Sequence, residues 1–271
     1  MTPNSLSQCC ATGSLREGEA KGEMKDIGAS MTTPANPSPV STYFGYPADK
    51  STDNAILILT DVIGHQFINA QVIADQFAAA GYFVVMPDLF KGDVVRLSRP
   101  EGFNVMDWVK NHLPQHTAPI IDEVLKEMRE NLGCKRIGVG GYCFGGKYVC
   151  RHLKAGKLDA GFTAHPTMVE ADELRGIEEP LSIAAAGESP LPNRARDATL
   201  TIPVRDVVFT TAKRHESEEI LDKLDVTYQI NMFSDVEHSF SVRCDLSKPR
   251  QKFAKEQAFV QAVSRFNEYV R

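Results

Sequence analysis

Residues 55–60, AILILT, form the continuous apolar run of a strand buried on both faces, and GYFVVMPDLF at 81–90 contains a second such run. Between them, INAQVIADQFAAAG places Val72, Ile73, Gln76, Phe77 and Ala80 at helical spacing and closes on Gly81, the residue type a helix C-terminus favours. The rhythm continues. APIIDEVLKEMRENLG reads as a helix, KRIGVGGYC as a strand entering a turn, and FGGKYVCRHLKAG as the helix that follows. LDAGFTAHP, EPLSIAAA and VTYQINMFSD read as further strands, and PRQKFAKEQAFVQAVSRFNEYVR as a closing amphipathic helix. Strands alternating with helices predict an α/β protein, with a mostly parallel central sheet and helices on both faces.

Two segments break the pattern. Residues 1–54 include TTPANPSPVST and show no sustained helical period, which predicts an N-terminal arm, partly extended and partly disordered, ahead of a domain at 55–271. Residues 187–205, GESPLPNRARDATLTIPVR, have neither period and carry three prolines and three arginines in 19 positions, so they read as an inserted loop. Codons for Gly187-Glu188-Ser189 can also spell a splice-donor-like string, so an unremoved intron is a second reading, decided by sequencing the transcript.

Composition narrows the function classes. Thirty Lys and Arg against 35 Asp and Glu, interspersed, leave a net charge of -5 and argue against a nucleic-acid partner. No run approaches ~18 apolar residues, and the N-terminus has no basic region followed by an apolar one, which predicts a cytoplasmic protein without a membrane partner. The six cysteines lack regular spacing, so they are expected as reduced thiols. There is no C-x-x-C, and neither a metal nor an organic cofactor is expected. A monomer or a homodimer is compatible with the sequence.

The sharpest local signal is Gly141-Tyr142-Cys143-Phe144-Gly145-Gly146, placed between a strand and a helix. It has the form of a nucleophile elbow, G-x-S-x-G, with cysteine in place of serine. Glycines are needed where a tight strand-to-helix turn brings backbone close to its neighbours, and the helix N-terminus that follows favours a thiolate. A thiol nucleophile calls for a base oriented by an acid. His238, in SDVEHSF, follows the last strand and suits the chain order nucleophile, acid, base; His165, in TAHPT, also ends a strand and is the alternative. By order alone Glu188, Asp197 and Asp206 all qualify as the acid.

With these motifs in hand, the chain resembles the dienelactone hydrolase family, the carboxymethylenebutenolidase-like α/β-hydrolases, above all its fungal-type members. The resemblance rests on the elbow and on LTDVIGH (59–65), MPDLFKGD (86–93), KRHESEEIL (213–221) and VEHSF (236–240), with SQCCATG near the N-terminus also similar. It implies an α/β-hydrolase fold, Cys143 as nucleophile, His238 as base, and the backbone N–H groups of Phe144 and Val62 as an oxyanion hole. Asp206 becomes the acid by its downstream context, although the 187–205 block displaces it from the strand that should hold it. Asp61 falls where family members use a carboxylate to hold or release the resting thiol, with a turn-capping role as the plainer reading. Lys91 and Arg243 are candidates to grip a substrate carboxylate. The implied activity is hydrolysis of small activated esters or enol-lactones, dienelactone to maleylacetate being the type. The alternatives are another carboxylic-ester hydrolase or thioesterase, and a non-catalytic binding protein should the acid loop be disrupted.

Overall fold

The computed structural model describes residues 10, 13–15, 18–28, 39–98, 101–187 and 206–271. They form a single eight-stranded sheet: β1 (Glu23–Ile27), β2 (Val40–Gly45), β3 (Asn54–Leu59), β4 (Phe83–Pro87), β5 (Arg136–Tyr142), β6 (Ala160–Ala164), β7 (Leu181–Ala186) and β8 (Tyr228–Phe233). In space the order is β1-β2-β4-β3-β5-β6-β7-β8. From β4 to β8 every pairing is parallel, while β2 runs antiparallel to both β1 and β4. The helices are α1 (Ile68–Ala79), α2 (Val105–Trp108), α3 (Pro114–Glu130), α4 (Phe144–His152), α5 (Ala171–Arg175), α6 (Thr211–Leu221), α7 (Phe240–Arg243) and α8 (Pro249–Tyr269).

The apolar runs go where their composition demands. β4 and β7 are buried at every position and β3 at all but its first, whereas β8, at the end of the sheet, is only partly covered. α1 turns Ile73 and Phe77 inward. The Phe77 ring meets Phe259 and Phe266 of α8 at 4.8 and 5.8 Å between centroids, so the first and last helices seal one another over the sheet.

Three differences from the sequence pattern have physical causes. The sheet begins inside the expected N-terminal arm: β2 buries Tyr43 and Phe44, and its Ser41 carbonyl accepts the Asp88 N–H at 2.8 Å. Short polar-flanked strands of this kind carry no long periodic signal and gain their stability from pairing. α3 starts at Pro114, four residues before its apolar stripe, because proline fits a first helical turn whose N–H groups have no helical partner. α6 has a mostly polar surface and so lacks a distinct stripe; Thr210 caps it by accepting from the Lys213 N–H.

The topology matters for chemistry because it places the ends of distant segments side by side. β3, β5 and β6 are neighbours, and their carboxyl ends lead into Asp61, Cys143 and His165 respectively. β8 leads toward His238 at the same end. In open parallel sheets this is the edge at which ligands bind. Residues 188–205, including the acid candidates Glu188 and Asp197, lie outside the described residues; the preceding Gly187 donates its N–H to Phe233 at 2.8 Å.

Candidate active site

The site is built around a bend that only a few residue types allow. β5 ends at Tyr142 and α4 begins at Phe144, leaving Cys143 alone to turn the chain at φ 51° and ψ -109°. That conformation is disfavoured for a residue with a side chain, by about 1–3 kcal/mol, and it projects the sulfur away from both elements. The flanking glycines let the bend close. A Cβ on Gly145 would overlap the Leu59 carbonyl, and one on Gly141 would overlap Val149 and the Gly145 backbone. Gly145 also donates its N–H to Thr60 at 3.1 Å, tying the elbow to the turn after β3. Gly145→Ala is therefore expected to push α4 off β3, lower the melting temperature by several degrees and reduce soluble yield, measured by thermal unfolding beside the parent protein.

Around the sulfur stand His238, nominated by chain order, and Asp206, nominated by the downstream context that the resemblance gives it. His238 Nε2 lies 3.2 Å from Cys143 Sγ, and His238 Nδ1 lies 3.1 Å from each Asp206 carboxylate oxygen. Since a carboxylate only accepts, Nδ1 carries a proton; Nε2 accepts from the thiol when the ring is neutral and donates to a thiolate when the ring is charged. Asp206 is held in turn by the N–H groups of Val208 and Phe209, at 2.8 and 2.9 Å on Oδ1. The acid is thus seated against the imidazole even though 19 residues separate it from the end of β7 at Ala186.

Burial and charge oppose each other here. Burial disfavours the imidazolium of His238, but the Asp206 carboxylate and the Cys10 thiol beside it outweigh that cost and raise its pKa well above the usual value. Burial likewise pushes the Asp206 carboxyl upward, yet His238 and the two backbone N–H donors bring it below the ordinary aspartate value. His165, the alternative base, serves from behind. Its ring packs edge-on against His238 at 4.9 Å, its Nε2 meets Ser241 Oγ at 2.7 Å, and burial, followed by the positive charges of His238 and Arg243, keeps it neutral.

The accessory candidates divide. Asp61 takes the turn-forming role: Oδ1 accepts the Ile63 N–H at 3.0 Å. Its other oxygen faces Arg243 Nε at 3.0 Å in a fully buried ion pair whose N–H is not aimed along the contact. Arg243 is consequently engaged by protein, since its Nη2 also donates to the Cys10 carbonyl at 2.7 Å. Lys91 is exposed in a left-handed turn after β4, apart from these buried groups. Phe144 opens α4, so its N–H has no acceptor within the helix, and Val62 sits in the turn between Asp61 and Ile63.

One residue of the site carries no periodic signal in the sequence. Cys10 is buried, and its sulfur, that of Cys143 and a nitrogen of His238 all lie within 4.8 Å of one another. Two thiolates and an imidazole are a donor set that a thiophilic cation such as Zn²⁺ would accept. The three come from positions 10, 143 and 238, so no local spacing could display them. Cys143 is fully covered in this arrangement and the His238 side chain is likewise buried; a cavity of about 220 Å³ lined by Gly13, Ser14, His238, Phe240 and Arg243 lies on the outer side of the loop that carries His238.

A mostly parallel sheet with a strained residue at a strand-to-helix elbow, and an imidazole and a carboxylate delivered by later loops, is the α/β-hydrolase architecture. The chain belongs to the dienelactone hydrolase family, whose model matches residues 40–270. It is 52% identical to the hydrolase pyvD of Aspergillus violaceofuscus, with both chains covered in full. It is 45% identical to the hydrolase tropI of Talaromyces stipitatus over 97% of this chain and 96% of that one. The solved dienelactone hydrolase of Anabaena variabilis superposes with a TM-score of 0.63 at 12% identity, covering 93% of this chain and 99% of its own, a likeness of fold. The family makes the protein a hydrolase of the ester or lactone type. Among the described residues no helix is long and apolar enough to cross a membrane.

Proposed function

We propose that the protein hydrolyses small activated esters or enol-lactones, the dienelactone-to-maleylacetate reaction being the type, with Cys143 as the nucleophile. The observation that carries this reading is the alignment of Cys143 Sγ, His238 and Asp206 through contacts of 3.2 and 3.1 Å. His238 Nε2 takes the thiol proton as the sulfur attacks the acyl carbon. The N–H groups of Phe144 and Val62 hold the negative charge that develops on the acyl oxygen. As the tetrahedral species collapses, the leaving alkoxide or enolate takes the proton back from His238, and a thioester remains on Cys143. Water then gives a proton to His238 and attacks the thioester; the carboxylic acid departs and the thiol is restored. Asp206 keeps the imidazole in the productive tautomer and offsets its charge.

A thiolate leaves more readily than an alkoxide, so unreactive esters return the sulfur and activated acyl groups are favoured. Cytoplasmic placement belongs to the same reading, because a thiol nucleophile works in a reducing compartment. The test is turnover of cis- and trans-dienelactone, p-nitrophenyl acetate and an acyl thioester by the purified full chain, before and after iodoacetamide. Turnover of lactone and activated ester that is lost in step with alkylation of Cys143 is expected. Full activity after Cys143 is alkylated would overturn the thiol mechanism, and preference for the thioester over every oxygen ester would overturn the substrate class.

A further inference from the structure

Cys10 has no part in the hydrolytic cycle, yet it is the group that closes over the nucleophile. Its sulfur lies within 4.8 Å of Cys143 Sγ and of the same imidazole, and both sulfurs are fully buried. Nor is its position left to a single contact. The Cys10 carbonyl accepts from Arg243 Nη2 at 2.7 Å, Ser14 donates its N–H to the Arg243 carbonyl at 3.0 Å, and Asn69 donates to the Ser14 carbonyl at 2.9 Å. Arg243 is anchored by Asp61 at 3.0 Å, and Asn69 Nδ2 also reaches the Val242 carbonyl at 3.0 Å. A second thiol is thereby docked beside the nucleophile from a segment remote from it along the chain.

We propose that Cys10 and Cys143 are a modification site: a small hydroperoxide oxidises the pair to a disulfide that blocks the nucleophile and that a thiol reductant reopens. The arrangement supplies each part of that chemistry. His238 Nε2 removes the Cys143 proton, and the thiolate attacks one peroxide oxygen. The O–O bond breaks, the departing oxygen takes the proton and leaves as water or an alcohol, and Cys143 becomes a sulfenic acid. Cys10 then gives its proton to the sulfenic hydroxyl, its sulfur attacks that of Cys143, and a second water leaves as the S–S bond forms. Two thiols lose two electrons in total and one hydroperoxide gains them. A thiol held this near intercepts the sulfenic acid before further oxidation to the irreversible sulfinic and sulfonic acids. Closing the bridge needs the sulfurs to approach to bonding distance, a shift of a few ångströms at most. Cys134 and Cys150 are also buried, and burial, aided by nearby carboxylates, pushes their pKa up to about 12.

The full chain, reduced and freed of reductant, is treated with stoichiometric hydrogen peroxide at pH 7, blocked with N-ethylmaleimide and digested without reduction. The expected product is a peptide pair joined through Cys10 and Cys143, two hydrogens lighter than the reduced peptides, which dithiothreitol separates. In Cys10→Ala and Cys10→Ser the same treatment is expected to leave Cys143 as a dimedone-reactive sulfenic acid that advances to sulfinic acid and is no longer recovered by reductant. Absence of the linked pair at every peroxide dose overturns the proposal, as does a bridge from Cys143 to Cys9 or sulfinic acid forming as fast in the parent as in the variants. The linkage is read by mass and requires no substrate, so a protein inert toward every ester would still test it.

Discussion

Cys143→Ala is expected to lower kcat for a lactone or activated ester about a million-fold, the scale on which loss of a triad nucleophile removes the covalent route. The effect is large because the elbow serves one atom. Its unfavourable backbone at φ 51°, the glycines either side and the approach of His238 Nε2 to 3.2 Å all converge on the sulfur. Alanine keeps the bend and removes the bond-forming atom, so the variant should still melt cooperatively close to the parent, and kcat and thermal unfolding together check the claim. Retention of more than a hundredth of the activity would place the nucleophile elsewhere, and Cys10, sharing the same imidazole, would be the first residue to substitute next.

Asp206→Asn is expected to reduce kcat by about 10⁴-fold, since an amide in place of the carboxylate no longer fixes the tautomer and no longer offsets the imidazolium. The pH dependence carries the sharper prediction. In the parent the Asp206 carboxylate and the Cys10 thiol outweigh burial and hold His238 well above its ordinary pKa. The base is competent only when neutral, so the acidic limb of the kcat/KM profile lies above the usual histidine value. With the carboxylate replaced by an amide the chief favourable charge is gone and burial remains, which disfavours the imidazolium. The limb should move to lower pH while the plateau falls. Stability follows the same signs. The raised His238 pKa stabilises the fold at low pH, and that contribution fades as pH rises through the folded value. The lowered Asp206 pKa stabilises at higher pH, and its contribution is lost as pH falls through the folded carboxyl value. The variant should lose the Asp206 dependence and the low-pH stabilisation by His238 in a melting series from pH 2 to 9. An unchanged acidic limb would remove Asp206 from the role.

How much of this was readable along the chain depends on the range of the interactions. The elbow is local: six consecutive residues between an apolar run and an amphipathic stretch fix a strand, a turn and a helix, and Cys143 stands where the motif puts it. His238 is legible by order, since the imidazole must arrive after the acid from the loop following a later strand. Asp206 is harder. Three acids satisfied the order, and the choice fell on its downstream neighbours; its seating against His238 depends on the N–H groups of Val208 and Phe209, which no spacing foretells. The buried pairing of Arg243 with Asp61 was missed for a related reason, because a lone arginine in a polar stretch reads as a solvated charge until the fold shows what surrounds it.

By itself, then, the sequence determined the alternating α/β architecture and the elbow, and it nominated a thiol and an imidazole, from periodicity, from chain order or from residues adjacent in the chain. The tertiary structure decided what comes together from afar. It drew β1 and β2 out of an apparently irregular arm onto the sheet, set the substrate-grip candidate Arg243 against the Asp61 carboxylate and the Cys10 carbonyl, and carried Cys10 to within 4.8 Å of Cys143. Hydrophobic periodicity reports how a segment meets the core, whereas a meeting between two particular side chains depends on loop closure and packing across the whole domain, which leave no period to read.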